Sequence, residues 1–416
     1  MKVMPMMCLL QKKLLTIAVK PIQQLKMRKS ILRLLIVVVL SISFLTINAQ
    51  ASSGLRISLI TCSPGQELYS TFGHSAIRVM DSARSSDWVF NYGTFDFNDP
   101  DFYTKFIQGK LLYFVSLERT VDFISQYQYE QRKVIEQELQ LNESEKLFIQ
   151  QYLFENLKPE NRFYKYDFFF DNCTTRLRDL MEKGKQPRPL FPAVMPENTR
   201  FRQAIHAYLD KGHQDWSKLG IDLLLGARTD RVMKINEQQF LPDNLMFAIE
   251  QCSNQKIVHQ TSTLYEPNGT IENESAITPL QVSLLICVLF LGLSLYEKKN
   301  RSIKISLSIL DTMLFLWVGL LGFILVFAWF GTDHIMTKNN YNLAWALPGL
   351  MIFPLLRSTI NTWTKRYIRL HTFILALTLC VWIWLPQQLN TALIPIVFTL
   401  FVRTYQKAPW YAKNRN

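Results

Sequence analysis

The chain of 416 residues exceeds the usual size of a single domain, which predicts at least two structural units. Its formal net charge of +13 at pH 7 would suit a protein that binds nucleic acid. Much of that charge, however, lies in short connections between apolar runs and in the C-terminal tail, and no RNA- or DNA-binding motif accompanies it. We therefore expect no nucleic-acid partner, and two halves that lie in different solvents, water and a membrane.

The N-terminal residues 1–51 have the pattern of an extension followed by a secretory signal. A basic segment, residues 28–33, precedes the apolar run Leu34–Ile47, which is followed by Ala49 and Ala51, the small residues of a cleavage site. The run is short for a membrane span, which favours cleavage over an uncleaved anchor helix. With either outcome, the polypeptide that follows is expected to be exported.

Residues 52–275 are expected to form an exported α+β domain. Apolar residues alternate in short runs that are separated by Gly, Asp or Pro, which is typical of strands. Asn142 and Ser144 offer caps for a helix over Glu145–Leu157. The predicted strands are Leu55–Thr61, Ser75–Met80, Trp88–Tyr92, Leu111–Leu117 and Val134–Leu139.

Two motifs in this domain carry candidate chemistry. In the first, His74 opens a predicted strand directly after Gly73. In the second, an aromatic run that includes Phe168–Phe170 leads into an Asp-Asn turn, and Cys173 begins a predicted helix. We interpret Phe168–Phe170 as part of a buried strand rather than as a contact for an acyl chain.

A cysteine at the N-terminus of a helix lies against unpaired backbone N–H groups, which lower its pKa toward the thiolate. A histidine on a neighbouring strand could take the thiol proton and return it to a leaving group, so Cys173 and His74 form a candidate dyad. The N–H of Cys173 could contribute to an oxyanion hole. To orient the imidazole we assign Asn91 on the next strand, with Asp96 behind it.

Structural roles for the same residues remain open. A lone buried cysteine is usually inert, and a lone histidine is usually structural. His206, His213 and His259 compete for the role of base, although none of them follows a strand-opening glycine. For Arg176, the alternative to a ligand contact is a solvated helix face.

The remaining exported cysteines, Cys62 and Cys252, could form a disulfide in an oxidising compartment, but their spacing does not establish the pairing. No histidines and cysteines stand at the short spacing of zinc ligands, so we expect no metal. We expect no other cofactor.

Residues 276–405 are expected to form an all-α bundle of about five transmembrane helices, followed by a basic cytoplasmic tail, 406–416. Pro348 and Pro354 interrupt the third candidate, yet we count it as a span because the basic loop after it would otherwise face outward. The connections that then lie outside contain Lys338 as their only fixed cation, which agrees with an exported N-terminal domain. The candidate spans are Leu280–Tyr296, Ile305–Phe330, Leu343–Leu356, Thr372–Leu385 and Thr391–Val402.

These motifs resemble those of the Lnb family, lipoprotein N-acyltransferases of Bacteroidota in which a periplasmic domain is joined to membrane helices. The order of the histidine before the cysteine more distantly resembles the circularly permuted papain-like fold of lecithin:retinol acyltransferase and its relatives. The segments that carry the resemblance are Ile60–Gly65 with Gly73-His74, Asn91–Phe97, Tyr166–Arg176 and the Thr332–His334 loop.

The resemblance implies transfer of an acyl chain from a phospholipid to the free α-amino group of a diacylglyceryl-cysteine lipoprotein. Cys173 would carry the acyl chain as a thioester, and His74 would be the general base. It also implies a multi-pass protein of the inner membrane whose large domain is periplasmic, whose C-terminus is cytoplasmic and whose partners are a phospholipid, a lipoprotein and the membrane. The candidate substrate-binding residues are Tyr166, Asp171, Arg176 and His334.

Two other functions remain open. The same dyad could serve a periplasmic thiol hydrolase that acts on phospholipids or peptidoglycan peptides, or the domain could be a membrane sensor or assembly module in which Cys173 and His74 are structural. A transporter is disfavoured, because the predicted spans carry almost no ionisable residues apart from Asp311.

Overall fold

The computed structural model describes residues 54–269, 277–352 and 362–407. The predicted extension and signal peptide, residues 1–51, and nearly all of the predicted tail lie outside the described residues. The boundary expected near residue 275 also lies outside them.

A seven-stranded antiparallel sheet organises the N-terminal domain, with the strand order β6-β4-β3-β2-β1-β5-β7. Its strands are β1 (Leu55–Cys62), β2 (His74–Asp81), β3 (Ser86–Thr94), β4 (Leu112–Arg119), β5 (Val134–Leu139), β6 (Phe163–Lys165) and β7 (Val258–Tyr265).

Helices cover both faces of this sheet. The helices of the N-terminal domain are α1 (Phe102–Gln108), α2 (Thr120–Tyr129), α3 (Glu143–Asn156), α4 (Pro159–Arg162), α5 (Cys173–Gly184), α6 (Phe201–Lys211), α7 (Asp215–Leu224) and α8 (Pro242–Glu250). Helices α3, α5 and α8 contribute to the core on one face, and α2 contributes to the core on the other.

The central strand β1 is buried on both faces, which explains why its sequence is nearly continuously apolar. Ile57 and Leu59 pack with Leu177 of α5, whereas Ile60 and Cys62 pack in the opposite core. Burial on both faces makes the register of β1 costly to change, because a shift by one residue exchanges the two faces. The register of β1, which pairs with the start of β2, is therefore fixed.

The predicted α+β class is confirmed, and each predicted strand is present with ends within two residues of the expected positions. Strand β7 was not predicted, whereas β6 overlaps the start of the aromatic run that was expected to be a strand. The interpretation of Phe168–Phe170 as a strand was wrong. These residues form a turn, because the Asp167 carboxylate accepts hydrogen bonds from the N–H groups of Phe169 (2.8 Å) and Phe170 (3.1 Å).

The C-terminal part is helical, with α9 (Pro279–Tyr296), α10 (Arg301–Phe330), α11 (Thr362–Cys380) and α12 (Ile394–Lys407). Among the described residues, α9 and α10 are long and apolar enough to cross a membrane. Helix α11 begins ten residues before the expected start at Thr372, and α12 begins just after the expected start at Thr391.

The third predicted span differs from the structure. Up to Ile352 it forms short 3-10 helices, at Tyr341–Ala344 and Pro348–Met351, instead of an α-helix, and 353–356 lie outside the described residues. Pro348 lacks the N–H group that a continuous α-helix would need. Non-helical backbone at membrane depth is tolerated where protein surrounds it, and Leu350 is buried.

Two glycines of α10 allow this irregular segment to pack closely against the helix. A Cβ atom on Gly319 would lie 2.4 Å from the backbone nitrogen of Met351, and one on Gly322 would lie 2.1 Å from the carbonyl oxygen of Ala346. Small residues commonly allow such close approach between membrane segments. The contact places the segment directly against the long spanning helix.

Loops of the C-terminal part bind the end of α7, a contact region that we call the junction (residues 222–227 with the loops 336–342 and 387–390). The N–H of Gly226 donates to the carbonyl of Met336 (2.8 Å), and the N–H of Ala227 donates to that of Asn339 (3.0 Å). Side-chain amides of the loops also donate to carbonyl groups at the end of α7; the donors are Asn340, Asn342 and Gln387. The junction thus joins the two parts of the chain through many directed hydrogen bonds.

The junction predicts opposite effects for two glycines. A Cβ atom on Gly226 would lie 2.0 Å from the carbonyl oxygen of Lys338, whereas nothing lies within 4 Å of one on Gly220. We expect Gly226→Ala to destabilise the protein by about 1–3 kcal/mol through overpacking. Gly220→Ala, inside α7, should stabilise it by roughly 0.5–1 kcal/mol. Thermal unfolding in detergent measures both, and equal midpoints for the two variants would contradict the described packing.

Candidate active site

The position of His74 is set by the glycine before it. Gly73 has a φ of +78°, and a Cβ atom there would lie 2.8 Å from the carbonyl oxygen of Cys62. A glycine meets both requirements because it lacks the side chain that they exclude. His74 is consequently the first residue of β2, opposite Cys62 in β1.

Cys173 is the first residue of α5, and Asn172 caps the helix. The Asn172 side chain accepts a hydrogen bond from the N–H of Thr175 (2.8 Å), and the Thr175 hydroxyl accepts one from the N–H of Asn172 (2.8 Å). The Asn172 amide also donates to the carbonyls of Phe168 and Phe240, both at 2.8 Å. This reciprocal cap fixes the first turn of the helix, and Cys173 with it.

Helix α5 and strand β2 bring the thiol and the imidazole together. The Cys173 thiol lies near the His74 side chain and the backbone N–H of Ser75, and both groups favour its thiolate form. The hydroxyls of Ser75 and Thr174, which each follow one member of the pair, lie 3.1 Å apart. The expected proximity of Cys173 and His74 is therefore present in the structure.

This environment favours the thiolate. Burial by itself raises the pKa of Cys173, but the positive charge and hydrogen bond of His74, together with the N–H of Ser75, lower it to about 7. Burial tends to lower the pKa of His74, yet the charge and hydrogen bond of Cys173 raise it above its ordinary value. Both shifts favour a thiolate–imidazolium pair near neutral pH.

Asn91 of β3 orients the imidazole, and Glu118 of β4 orients Asn91. The Nε2 atom of His74 lies 2.7 Å from Oδ1 of Asn91, and Nδ2 of Asn91 donates to the Glu118 carboxylate at 3.0 Å. Because a carboxylate only accepts, Oδ1 must face the imidazole, so Nε2 carries a proton and Nδ1 is left for the thiol. Asp96 was wrongly placed behind Asn91, since its carboxylate accepts from the N–H of Asn98 (2.8 Å) in the loop after β3.

A bulge in β3 makes room beside the thiol. The register between β3 and β4 shifts between Tyr92 and Thr94, at Gly93, whose φ is +91°. A Cβ atom on Gly93 would lie 3.7 Å from Cβ of Cys173 and 3.8 Å from the ring of Tyr166. Bulges often redirect a strand next to an active site. Tyr166 is thereby one wall of the space next to the thiol.

Comparison with known proteins assigns both parts of the chain. Residues 46–196 match the Lnb N-terminal periplasmic domain, and residues 271–414 match the Lnb transmembrane domain. The chain belongs to the Lnb family. No curated protein and no solved structure matches it.

Membership in the Lnb family makes this a membrane protein with a periplasmic domain, and it indicates an enzyme that handles lipids or lipoproteins. The periplasmic match includes Cys173 and the hydrogen-bonded chain of His74, Asn91 and Glu118. The transmembrane match includes the loop with His334.

Two of the predicted substrate-binding residues of this Lnb family member bind each other. Arg176 and Asp171 form a bidentate ion pair, with N–O distances of 2.7 and 2.9 Å. The guanidinium also lies over the ring of Tyr164, 3.5 Å from its centroid. These contacts brace the turn that leads into α5. A direct contact of either residue with substrate stays a prediction.

His334 lies at a different place from the Cys173–His74 pair. Its Nε2 atom is 3.1 Å from the carbonyl oxygen of Phe106, at the end of α1, and its ring packs against Gly109. The loop that carries it follows a spanning helix and contacts the periplasmic domain. These contacts of His334 are with α1 and position that helix.

The other candidates have structural surroundings. Cys62 and Cys252 are both free thiols, and burial raises the pKa of Cys62 to about 12, so it remains protonated. His206 is bonded to the buried Asp222 (2.8 Å) near the junction. Within the described residues no cluster of histidine, cysteine and acidic side chains could hold a metal ion.

Glu118, which accepts the hydrogen bond from Asn91, is the member of this candidate site that was not predicted from the sequence. On β4, Ser116 and Glu118 alternate with Val115 and Leu117, a pattern that predicts one polar face. The hydroxyl of Ser116 donates to the same Glu118 oxygen at 2.8 Å. The alternation could have identified this face, but the sequence does not show that β4 pairs with the strand of Asn91.

The low pKa of Cys173 predicts the pH dependence of its alkylation. In the wild type the rate with iodoacetamide should be half-maximal near pH 7 and fall below that, as the thiolate is protonated. In His74→Ala the two largest effects that lower the pKa of Cys173 are lost while the raising effect of burial remains, so this pKa should rise well above 7. At pH 7 we expect the rate to fall by roughly ten-fold or more, allowing for the greater nucleophilicity of a more basic thiolate.

Mass spectrometry of the Cys173 peptide measures this rate, with Cys252 as an internal reference whose labelling should not change. An identical pH profile in wild type and His74→Ala would refute the thiol–imidazole interaction.

The chain from Glu118 to His74 predicts a graded effect on the same profile. Glu118→Ala removes the acceptor that orients the Asn91 amide, so the imidazole is held less well and the alkylation pKa of Cys173 should rise by roughly half a unit to one unit. Glu118→Gln keeps an acceptor oxygen and should shift the profile less. If both variants alkylate like the wild type, Glu118 has no part in placing His74.

Proposed function

We propose that this Lnb family member is a membrane-bound periplasmic acyltransferase. It would move an acyl chain from a phospholipid, through a thioester on Cys173, to the N-terminal amine of a diacylglyceryl-cysteine lipoprotein. The observation that carries this proposal is the Cys173–His74–Asn91 arrangement in a periplasmic domain that is joined to membrane helices.

The arrangement supports a circularly permuted papain-like fold. The thiol stands at the N-terminus of a helix that packs on an antiparallel sheet, and adjacent strands of the sheet supply the imidazole and the amide. The histidine precedes the cysteine in the chain, which is the order of a permuted form. The permuted papain-like fold is therefore part of the same proposal as the acyl transfer.

In the first step the Cys173 thiolate attacks the ester carbonyl carbon of the phospholipid. The C–S bond forms, the ester C–O bond breaks, and His74 gives its proton to the departing lysophospholipid oxygen. We assign the N–H of Cys173, at the positive end of α5, to the developing oxyanion. The products are the acyl-enzyme and a lysophospholipid.

In the second step the α-amino group of the lipoprotein attacks the thioester carbonyl carbon. The amide bond forms, the C–S bond breaks, and the neutral His74 imidazole takes the proton that the amine loses. Water must not reach the thioester meanwhile. Cys173 is only 8% exposed and lies beside the ring of Tyr166, which supports such exclusion.

We propose the inner membrane as the location, with about five spanning segments, the third of them irregular, and a cytoplasmic C-terminus. Both the phospholipid and the lipid-modified acceptor would then lie in the outer leaflet, beneath the periplasmic domain. A donor and an acceptor confined to one leaflet meet the site at high effective concentration. The junction holds the domain against that leaflet.

Expression in cells that lack their own lipoprotein N-acylation enzyme tests the function. The wild type should yield a triacylated reporter lipoprotein, and Cys173→Ala should yield none. His74→Ala should lower the rate of triacylation by roughly 10²–10⁴-fold. Mass spectrometry of the reporter's N-terminus gives the acylation state. Cys252→Ala, which removes a half-buried free thiol, is the matched control and should retain activity.

An unmodified reporter, with the wild-type protein present in the membrane, would contradict the transferase. Release of free fatty acid or cleaved peptide by that protein would instead support the thiol hydrolase.

A further inference from the structure

An exposed apolar surface on α1 and the loop before it has no role in the site described above. We call it the aromatic patch: Phe97, Tyr103, Phe106 and Ile107, which are 50–74% exposed. The ring of Phe102 lies behind it, with centroid distances of 4.9 Å to Phe97 and 5.2 Å to Tyr103. Contiguous exposed apolar side chains on a soluble surface usually mark a contact with a protein, ligand or membrane.

The position of the patch relative to the spanning helix α10 indicates which of these it contacts. Helix α10 ends at Phe330, and three residues later the N–H of Asp333 donates to the carbonyl of Gln108 at 2.9 Å. His334 bonds to the carbonyl of Phe106, as described above, and the Asp333 carboxylate pairs with Lys165 at 2.6 Å. Three residues of chain span at most about 11 Å. The end of α1 therefore lies near the level at which α10 leaves the hydrocarbon.

The composition of the aromatic patch is typical of the boundary between hydrocarbon and headgroups. Aromatic side chains concentrate where a membrane protein meets the headgroup region, because their rings are apolar and tolerate partial hydration. Trp329 and Phe330 at the end of α10 stack on each other, and Phe330 is 75% exposed. The patch continues this aromatic end of the spanning helix on the periplasmic domain.

A row of rings leads from the patch to the thiol. Phe102 contacts Phe95 (centroids 5.6 Å apart), Phe95 contacts Tyr113 (5.2 Å), and Tyr113 stacks on Tyr166 (4.3 Å). Tyr166 borders the space next to Cys173 at the bulge of β3. The row is continuous from a surface at membrane level to the proposed nucleophile.

We propose that the aromatic patch inserts into the outer leaflet and that the ring row Phe102–Phe95–Tyr113–Tyr166 is the path along which a phospholipid acyl chain reaches Cys173. The inference rests on the proposed function for its chemistry, because only an acyl ester has a reason to reach the thiol. A long acyl chain that left the bilayer would otherwise be exposed to water, and apolar rings along its path remove that exposure. His334 and Asp333 are then positioning residues that hold α1 at the leaflet.

Photo-crosslinking tests the path without requiring acyl transfer. Benzoylphenylalanine replaces Tyr103 of the patch, Tyr113 of the row or, as a control, Tyr129 at the end of α2, which is 90% exposed. The full-length protein is irradiated in membranes whose phospholipids carry alkyne-terminated acyl chains, and hydroxylamine removes any thioester label. We expect positions 103 and 113 to capture phospholipid at least ten-fold more than position 129.

Each outcome has a meaning for the proposal. Capture at position 103 no greater than at 129 would overturn insertion of the patch, and capture at 103 without capture at 113 would overturn the ring row. An unchanged alkylation profile of Cys173 in the same variants shows that the fold is retained. Failure of the transferase assay with positive crosslinks would reject the proposed function alone.

A second arm measures transfer. The double variant Tyr103→Ser/Ile107→Ser should lower reporter triacylation by roughly ten-fold while Cys173 alkylation stays normal, and Tyr129→Ser should change neither. Normal triacylation in the double variant would overturn the role of the patch in substrate delivery.

Discussion

The cap that Asn172 places on α5 is the interaction on which the site depends. Its side chain bonds the first turn of the helix and also the carbonyls of Phe168 and Phe240, so the helix start, the aromatic turn and a later segment are fastened at one residue. Without a cap the first turn of a helix tends to fray, because its N–H groups lack partners. Cys173 is the next residue, so the fixed turn determines where the thiol lies relative to His74 and how strongly the helix end favours the thiolate.

The order of groups behind the thiol has an electrostatic consequence. A carboxylate bonded directly to His74 would stabilise the imidazolium by itself, but here the neutral amide of Asn91 lies between His74 and Glu118. The thiolate therefore remains the principal counter-ion of the imidazolium. Glu118 acts through the orientation of the amide, which is a geometric effect with less influence on the charge of the ring.

Two buried ionic clusters, one in each part of the chain, fix the packing of their own segments. In the periplasmic domain, next to the junction, Arg202 is fully buried and pairs with Asp222 (2.7 Å) and Asp230 (3.0 Å). Among the spanning helices, Arg403 of α12 pairs with Asp311 of α10 at 2.7 Å. Removing one partner of a buried pair typically costs about 3–5 kcal/mol, so each cluster selects one packing of its segments. Asp311, the ionisable residue found in the predicted spans, therefore has a structural partner.

The local patterns of the sequence determined the strands β1 to β5, the helix after Asn142, the start of α5 at Cys173 and two long apolar helices, because alternation, caps and apolar length are properties of adjacent residues. They also singled out His74 and Asn91 by their places in strands. The tertiary structure alone decided that Glu118 stands behind Asn91 instead of Asp96, because this depends on which strand pairs with β3 and on the bulge at Gly93. Only the tertiary structure showed that 3-10 turns packed against Gly319 and Gly322 take the place of the predicted third span, and that His334 contacts α1. Contacts between residues far apart in the chain follow from packing and hydrogen-bond satisfaction across the whole molecule, and no local pattern encodes them.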